Sequence, residues 1–188
     1  SDVQGIVDKT IESATGGLIW FWDGLSISEK VVFSAAAEAQ KIAIEQNQSF
    51  PEDSFALLKK YGVIPTDEML KSVKKLTLNG FLDDTGRRVK IELVRLWLVE
   101  HRPLQKTIWK LEELGKEEID RIDQEAIKLY QNGKKQDAIG CYEQILKLNP
   151  NHFSTLPVLA ERYLEIGNFD KALELSQRAY LLDLTSNN

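Results

Sequence analysis

The chain has 188 residues, 43% hydrophobic and 28% charged, with a net charge of −5. That is enough chain for one large or two small globular domains of ordinary soluble composition. The acidic balance, −2 over residues 1–115 and −3 over 116–188, argues against a basic nucleic-acid domain or an anionic-membrane binder. No apolar run reaches membrane-spanning length, and no basic leader precedes an apolar segment. One cysteine, Cys141, excludes an internal disulfide and fits a reducing cytoplasm. The sole methionine is Met69 and the chain opens Ser1-Asp2, so it is expected to be a piece of a longer protein.

Residues 2 to about 23 place Val3, Ile6, Val7 and Ile11 at helical spacing, followed by Trp20-Phe21-Trp22. "SISE" at 26–29 forms a capping box and opens a helix through Val31, Val32, Ala35, Ala36, Ala39 and Ile42, whose alanines predict close helix packing. Pro51 and neighbouring acids start a helix with Phe55, Leu57 and Leu58 that stops at Gly62. Thr66 caps the next helix, with a stripe of Leu70, Val73 and Leu76, and Asn79-Gly80 ends it. Two short runs, Phe81–Asp83 and Arg88–Ile91, flank Asp84-Thr85-Gly86 and predict a β-hairpin. A helix with Leu93, Leu96, Trp97 and Val99 ends before Pro103, and another covers about 104–114.

Three helices, a hairpin and a further helix follow the order of a winged helix-turn-helix, with 66–79 as recognition-helix equivalent and 81–91 as wing. Lys71, Lys74, Lys75, Arg87, Arg88 and Lys90 are then candidate phosphate contacts, the basis of an alternative reading as a DNA-binding regulator. Against it stand Asp67, Glu68, Asp83 and Asp84, and a helix that offers lysines rather than arginine, asparagine or glutamine to base edges.

The last third repeats itself. Gly133 and Gly167 are 34 residues apart, as are Ala138 and Ala172, Leu129 and Tyr163, Ala126 and Ala160, Ile145 and Ala179, and Leu148 and Leu182. Small residues at 126/160 and 138/172, the glycine turn, Tyr142 and Pro150 resemble the tetratricopeptide repeat over roughly 119–184. Ser176 stands where an aromatic is usual, Leu184 where a closing proline is usual, and Pro157 requires Ser154 or Thr155 as a cap just before it. The expected architecture is mainly α: a winged-helix-like domain at 1–103, a connecting helix at 104–118 and two repeats at 119–188. Two repeats are fewer than normally stand alone.

No catalytic constellation emerges. "LGKEE" and "NGKKQ" lack the glycine spacing and hydroxyl of a phosphate loop. His101, His152 and one cysteine cannot make a typical zinc site; His101 reads as a complement to a helix C-terminus, and Cys141 as an inert thiol. Neither a metal nor a cofactor is expected. Trp20, Trp22, Trp97 and Trp109 read as core or domain-seam residues rather than a ligand cage.

"LIWFWDGLSISEKVVFSAAAEA", with Trp22, Asp23, Leu25, Ser26 and Glu29, resembles a phrase found just after the ATPase core of bacterial STAND and related AAA-type signalling ATPases. "VKIELVRLWLVEHRPL", with Glu92, Leu93, Arg95, Trp97 and Pro103, resembles the segment after the wing in the same proteins. The resemblance spans about 1–110 and implies a cytoplasmic regulatory arm between a nucleotide switch and a repeat sensor. It implies the ATPase core of the same parent chain as a partner. No histidine occurs between Ser1 and Glu100, so no nucleotide contact is implied.

On the repeat register, Asp120, Asp123, Ile127, Tyr130, Gln131, Glu161, Leu164 and Glu165 face the binding groove. That surface is acidic with apolar spots, so the expected guest is a basic or amphipathic protein segment. The alternative, that these carboxylates are only solvated, stays open. Asp123 and Ile127 occupy places that the Lys and Asn of a carboxylate clamp would use.

Overall fold

The computed structural model describes residues 16–186, so the run through Val3, Ile6, Val7 and Ile11 lies outside it. Among the described residues the chain is mainly helical: α1 (16–23), α2 (Ile27–Glu45), α3 (Ser54–Lys60), α4 (Asp67–Leu78), α5 (Glu92–His101), α6 (Leu104–Ile108), α7 (Lys116–Gln131), α8 (Lys135–Leu148), α9 (Thr155–Glu165) and α10 (Phe169–Ser186). A 3-10 segment, Trp109–Glu113, lies between α6 and α7. The chain divides into two compact units. One takes residues up to Lys59 and Pro65–Ile108; the other takes Lys60–Ile64 and everything from Trp109.

In the first unit α2 is the central element. Its capping box forms as expected: the Ser26 N–H donates to Glu29 Oε2 at 2.8 Å, and the Glu29 N–H donates to Ser26 Oγ at 3.2 Å. Such a cap contributes about 1 kcal/mol. Val31, Val32, Phe33, Ala35, Ala36, Ala37 and Ala39 are all buried, so α2 is covered around most of its circumference by α4, α5 and α6. The alanine methyls let those helices approach closely.

Helix α4 starts as expected, the Met69 N–H donating to Thr66 Oγ1 at 3.4 Å. Its buried face is Met69, Ser72 and Leu76, whereas Leu70 of the expected stripe is 48% exposed. The Ser72 hydroxyl is satisfied by donating to the Glu68 carbonyl at 2.8 Å, so it sits inside without cost.

The expected β-hairpin at 81–91 does not form. Its only ladder element is an isolated antiparallel bridge between Leu82 and Val89, and there is no strand among the described residues. The competing hydrogen bonds explain this. The Asp83 carboxylate accepts from the N–H groups of Arg87 (3.1 Å) and Arg88 (3.2 Å) and from the Thr85 hydroxyl (2.7 Å), which curls the segment into a loop. The Val89 N–H donates to the Gln40 side chain at 2.9 Å rather than to a partner strand. A winged helix closed by a two-stranded wing is therefore not supported.

The second unit consists of two helix pairs, α7–α8 and α9–α10, plus a docked strap at 60–64. Ile119, Ala126, Ile139, Tyr142, Ile145, Leu159, Tyr163 and Ala172 form its core. Asn149 and Asn151, both buried, tie the corner together. Asn149 Nδ2 donates to the Leu111 carbonyl at 2.8 Å, and Asn151 exchanges two 2.8 Å hydrogen bonds with the Ile64 backbone. Arg178 of α10 donates to Asn151 Oδ1 (2.9 Å), the Gly62 carbonyl (2.7 Å) and the Pro150 carbonyl. Burial lowers this guanidinium to about 10, which still leaves it charged at neutral pH.

Pro157 falls in the first turn of α9, where its missing N–H is harmless. Neither Ser154 nor Thr155 caps that helix as expected. The Ser154 N–H is taken by the Glu112 carboxylate at 2.6 Å, and Thr155 Oγ1 pairs with His152 Nδ1 at 2.8 Å.

Candidate functional site

The two inter-helix corners of the second unit have the same construction. Gly133 and Gly167 both take φ +76°. The Gly133 and Lys134 N–H groups donate to Tyr130 and Leu129 carbonyls at 3.0 and 2.9 Å; the Gly167 and Asn168 N–H groups donate to Leu164 and Tyr163 carbonyls at 3.1 and 2.9 Å. Each donor and acceptor has its equivalent 34 residues on. The small residues at the close contacts, Ala126 with Ala160 and Ala138 with Ala172, are all buried.

Residues 123–152 match the family model of the tetratricopeptide repeat. The chain therefore contains a tetratricopeptide repeat built by α7 and α8, and its mainly helical fold agrees with one. The comparisons with curated proteins and with solved structures each return no match.

The first helix of each tetratricopeptide unit carries the expected groove residues. Ile127 (42%) and Leu164 (52%) are exposed apolar side chains; Asp120, Gln131 and Glu161 are exposed, and Asp123 and Tyr130 partly so. Glu165 belongs to a network that joins α7, α8 and α9. The Tyr130 hydroxyl donates to it at 2.8 Å, Lys135 Nζ donates at 2.7 Å, and the Arg162 guanidinium pairs with it as well. Arg162 also lies over the Tyr130 ring, 3.8 Å from its centroid, and reaches Glu161 at 3.2 Å. The Lys135 and Tyr130 hydrogen bonds hold the Glu165 carboxyl at about 2, far below the usual carboxylate range. The face is thus less acidic than its carboxylates alone imply, because Lys135 and Arg162 also contribute to it. Neither cation is identifiable from the repeat register: Lys135 lies 30 residues from Glu165, and only Arg162-x-x-Glu165 has a local helical spacing.

On the other side of α9, Glu143 of α8 accepts from the Tyr163 hydroxyl and from Lys171 Nζ at 2.9 Å. These groups border an apolar slot of about 350 Å³ lined by Leu146, Leu159 and Leu175.

The candidate phosphate contacts are mostly engaged within the first unit. Lys75 pairs with the buried Glu29 at 2.8 Å, Lys71 with Glu68 at 3.5 Å and Arg87 with Asp53 at 3.8 Å. Burial alone raises the Glu29 carboxyl, but hydrogen bonds from Lys75 and Ser26 outweigh it and the net shift is downward. Arg88 donates to the Ser49 carbonyl at 2.6 Å and stacks on Phe50 at 4.4 Å. Lys74 and Lys90 are exposed.

The tryptophans divide. Trp22 and Trp97 are buried and meet edge to face at 6.2 Å, with His101 stacked on Trp97 at 5.6 Å and Arg102 over its ring at 4.9 Å. Trp109 packs edge-on against Phe153, whereas Trp20, expected in a core, is 82% exposed. Burial, together with Glu125 and Asp137, pushes the Cys141 thiol up, away from a reactive thiolate. Among the described residues, no group of three or more His, Cys, Asp or Glu could hold a metal ion, and no helix is long and apolar enough to cross a membrane.

Proposed function

We propose that the chain is a non-enzymatic regulatory and interaction fragment whose α7–α9 face receives a protein or peptide segment. Tetratricopeptide repeats generally mediate protein–protein binding, and stacked repeats present an extended surface to a guest. The observation that carries the reading is the exposure of Ile127 and Leu164 beside the Tyr130–Glu165–Arg162 network. The network links the two helices before any guest arrives, so little ordering is left to oppose binding. The favoured guest is amphipathic: apolar side chains meet Ile127 and Leu164, and basic ones meet Asp123 and Glu161.

A peptide library panned on the full 188-residue chain tests this. Selected peptides should be amphipathic with basic residues, and Ile127→Glu with Leu164→Glu should weaken them by at least about tenfold, the size of a hot-spot loss. Peptides that bind this double variant as well as the native chain would overturn the reading.

The Trp22-Asp23-x-Leu25 phrase and the Glu92-to-Pro103 segment support a wider context. In it the fragment follows the ATPase core of a bacterial STAND or AAA-type signalling ATPase, with the first unit as the arm docked on that core. That context requires a phosphate loop encoded upstream of Ser1, and a gene with none contradicts it.

A further inference from the structure

Helix α10 ends the repeat pair with an exposed apolar stripe. Phe169 (67%), Leu173 (58%), Tyr180 (62%) and Leu184 (47%) follow spacings of four, seven and four residues, which place them on one face. The repeat identifies what this face is. Thirty-four residues earlier, Leu173 and Tyr180 correspond to Ile139 and Leu146 of α8. Ile139 is buried and Leu146 half-buried, and both pack in the cluster that holds Leu159 and Tyr163 of α9. The α8 face is covered by a helix; the equivalent α10 face is not.

From this continuity with the α8–α9 interface, we propose that the α10 stripe is a docking site for an amphipathic helix of a partner protein. That helix would present a leucine, a small residue and an aromatic in the spacing of Leu159, Ala160 and Tyr163, and would lie on α10 as α9 lies on α8. Gln177 corresponds to Glu143, the acceptor of the Tyr163 hydroxyl, so an aromatic hydroxyl on the guest meets a side-chain amide there. A second copy stacked head to tail is a poor occupant. Its α7 would bring Gln124, Glu125 and Lys128, all exposed, to the places where α9 brings Val158, Leu159 and Arg162, burying the charge of Glu125. The stripe is a different surface from the α7–α9 face, so its test is independent of that one.

The probe is a fluorescein-labelled peptide with the sequence of residues 154–166, stapled on its solvent side to remove the helix-nucleation cost. Titrated into the full chain, it should bind saturably. Leu173→Glu, at an exposed position, should leave circular dichroism and melting temperature unchanged but weaken the peptide by at least about tenfold. A peptide with Glu in place of Leu159 should not bind. Absence of binding, or equal binding to the native chain and to Leu173→Glu, would overturn the proposal. So would a native dimer in sedimentation that Leu173→Glu breaks, because the stripe would then belong to a second copy.

Discussion

Glu165 shows how one side chain organises a surface. Three donors from α7, α8 and α9 converge on its carboxylate, and the Lys135 hydrogen bond leads in holding it at about 2 rather than near 4.5. A carboxyl lowered on folding adds stability above its unfolded value and loses that stability as pH falls through the folded one. The Glu165 contribution is therefore intact above pH 4.5 and disappears between about 4.5 and 2. Thermal melts over that window should show a steeper acid loss for the native chain than for Glu165→Gln; identical slopes would mean the network does not stabilise the fold. The network was only half legible beforehand. Tyr130 and Glu165 follow from repeat register, but Lys135 reaches Glu165 only because the glycine corner places the start of α8 beside the end of α9. Nothing in local spacing encodes that approach. The Asn149 and Asn151 bonds to residues 64, 111 and 114 are hidden for the same reason.

At the scale of the element, caps and corners are the features that sequence resolves best, because their chemistry is local. The Ser26–Glu29 box, the Thr66 cap and the glycine turns stand where residue type placed them. Burial direction is less legible. Leu70 and Leu78 of α4 face outward while Ser72 turns in, since a satisfied hydroxyl costs little and the packing partners decide the face. The hairpin failed because turn chemistry at Asp84-Thr85-Gly86 cannot reveal that Asp83 captures two backbone N–H groups needed by a ladder. The corner glycines give a quantitative check. A Cβ on Gly133 or Gly167 meets nothing within 4 Å, so only left-handed strain opposes alanine there. Gly133→Ala and Gly167→Ala should each destabilise the fold by about 1–2 kcal/mol, and by similar amounts. Gly62→Ala should cost more, because its Cβ would lie 3.0 Å from the Arg178 carbonyl. Chemical denaturation decides, and a Gly62→Ala loss no larger than the other two would contradict the docking of the strap.

Across the whole molecule, two units coexist with different degrees of legibility. The second was readable through its 34-residue period, because a repeat states each packing relation twice. The first has no period, and a central helix buried around most of its circumference shows little amphipathic signal, so its assembly from α2, α4, α5 and α6 depends on contacts far apart in sequence. The tetratricopeptide match covers the first repeat only. The account rests on α9 and α10 repeating it in register, since both the binding face and the α10 stripe are assigned by that offset. An experimental structure of the full chain tests this most directly, by superposing residues 119–150 on 153–184. The account predicts that Gly133 falls on Gly167 with both corner hydrogen bonds preserved; a second helix pair that turns at another residue, or packs its Ala172 face outward, would contradict it.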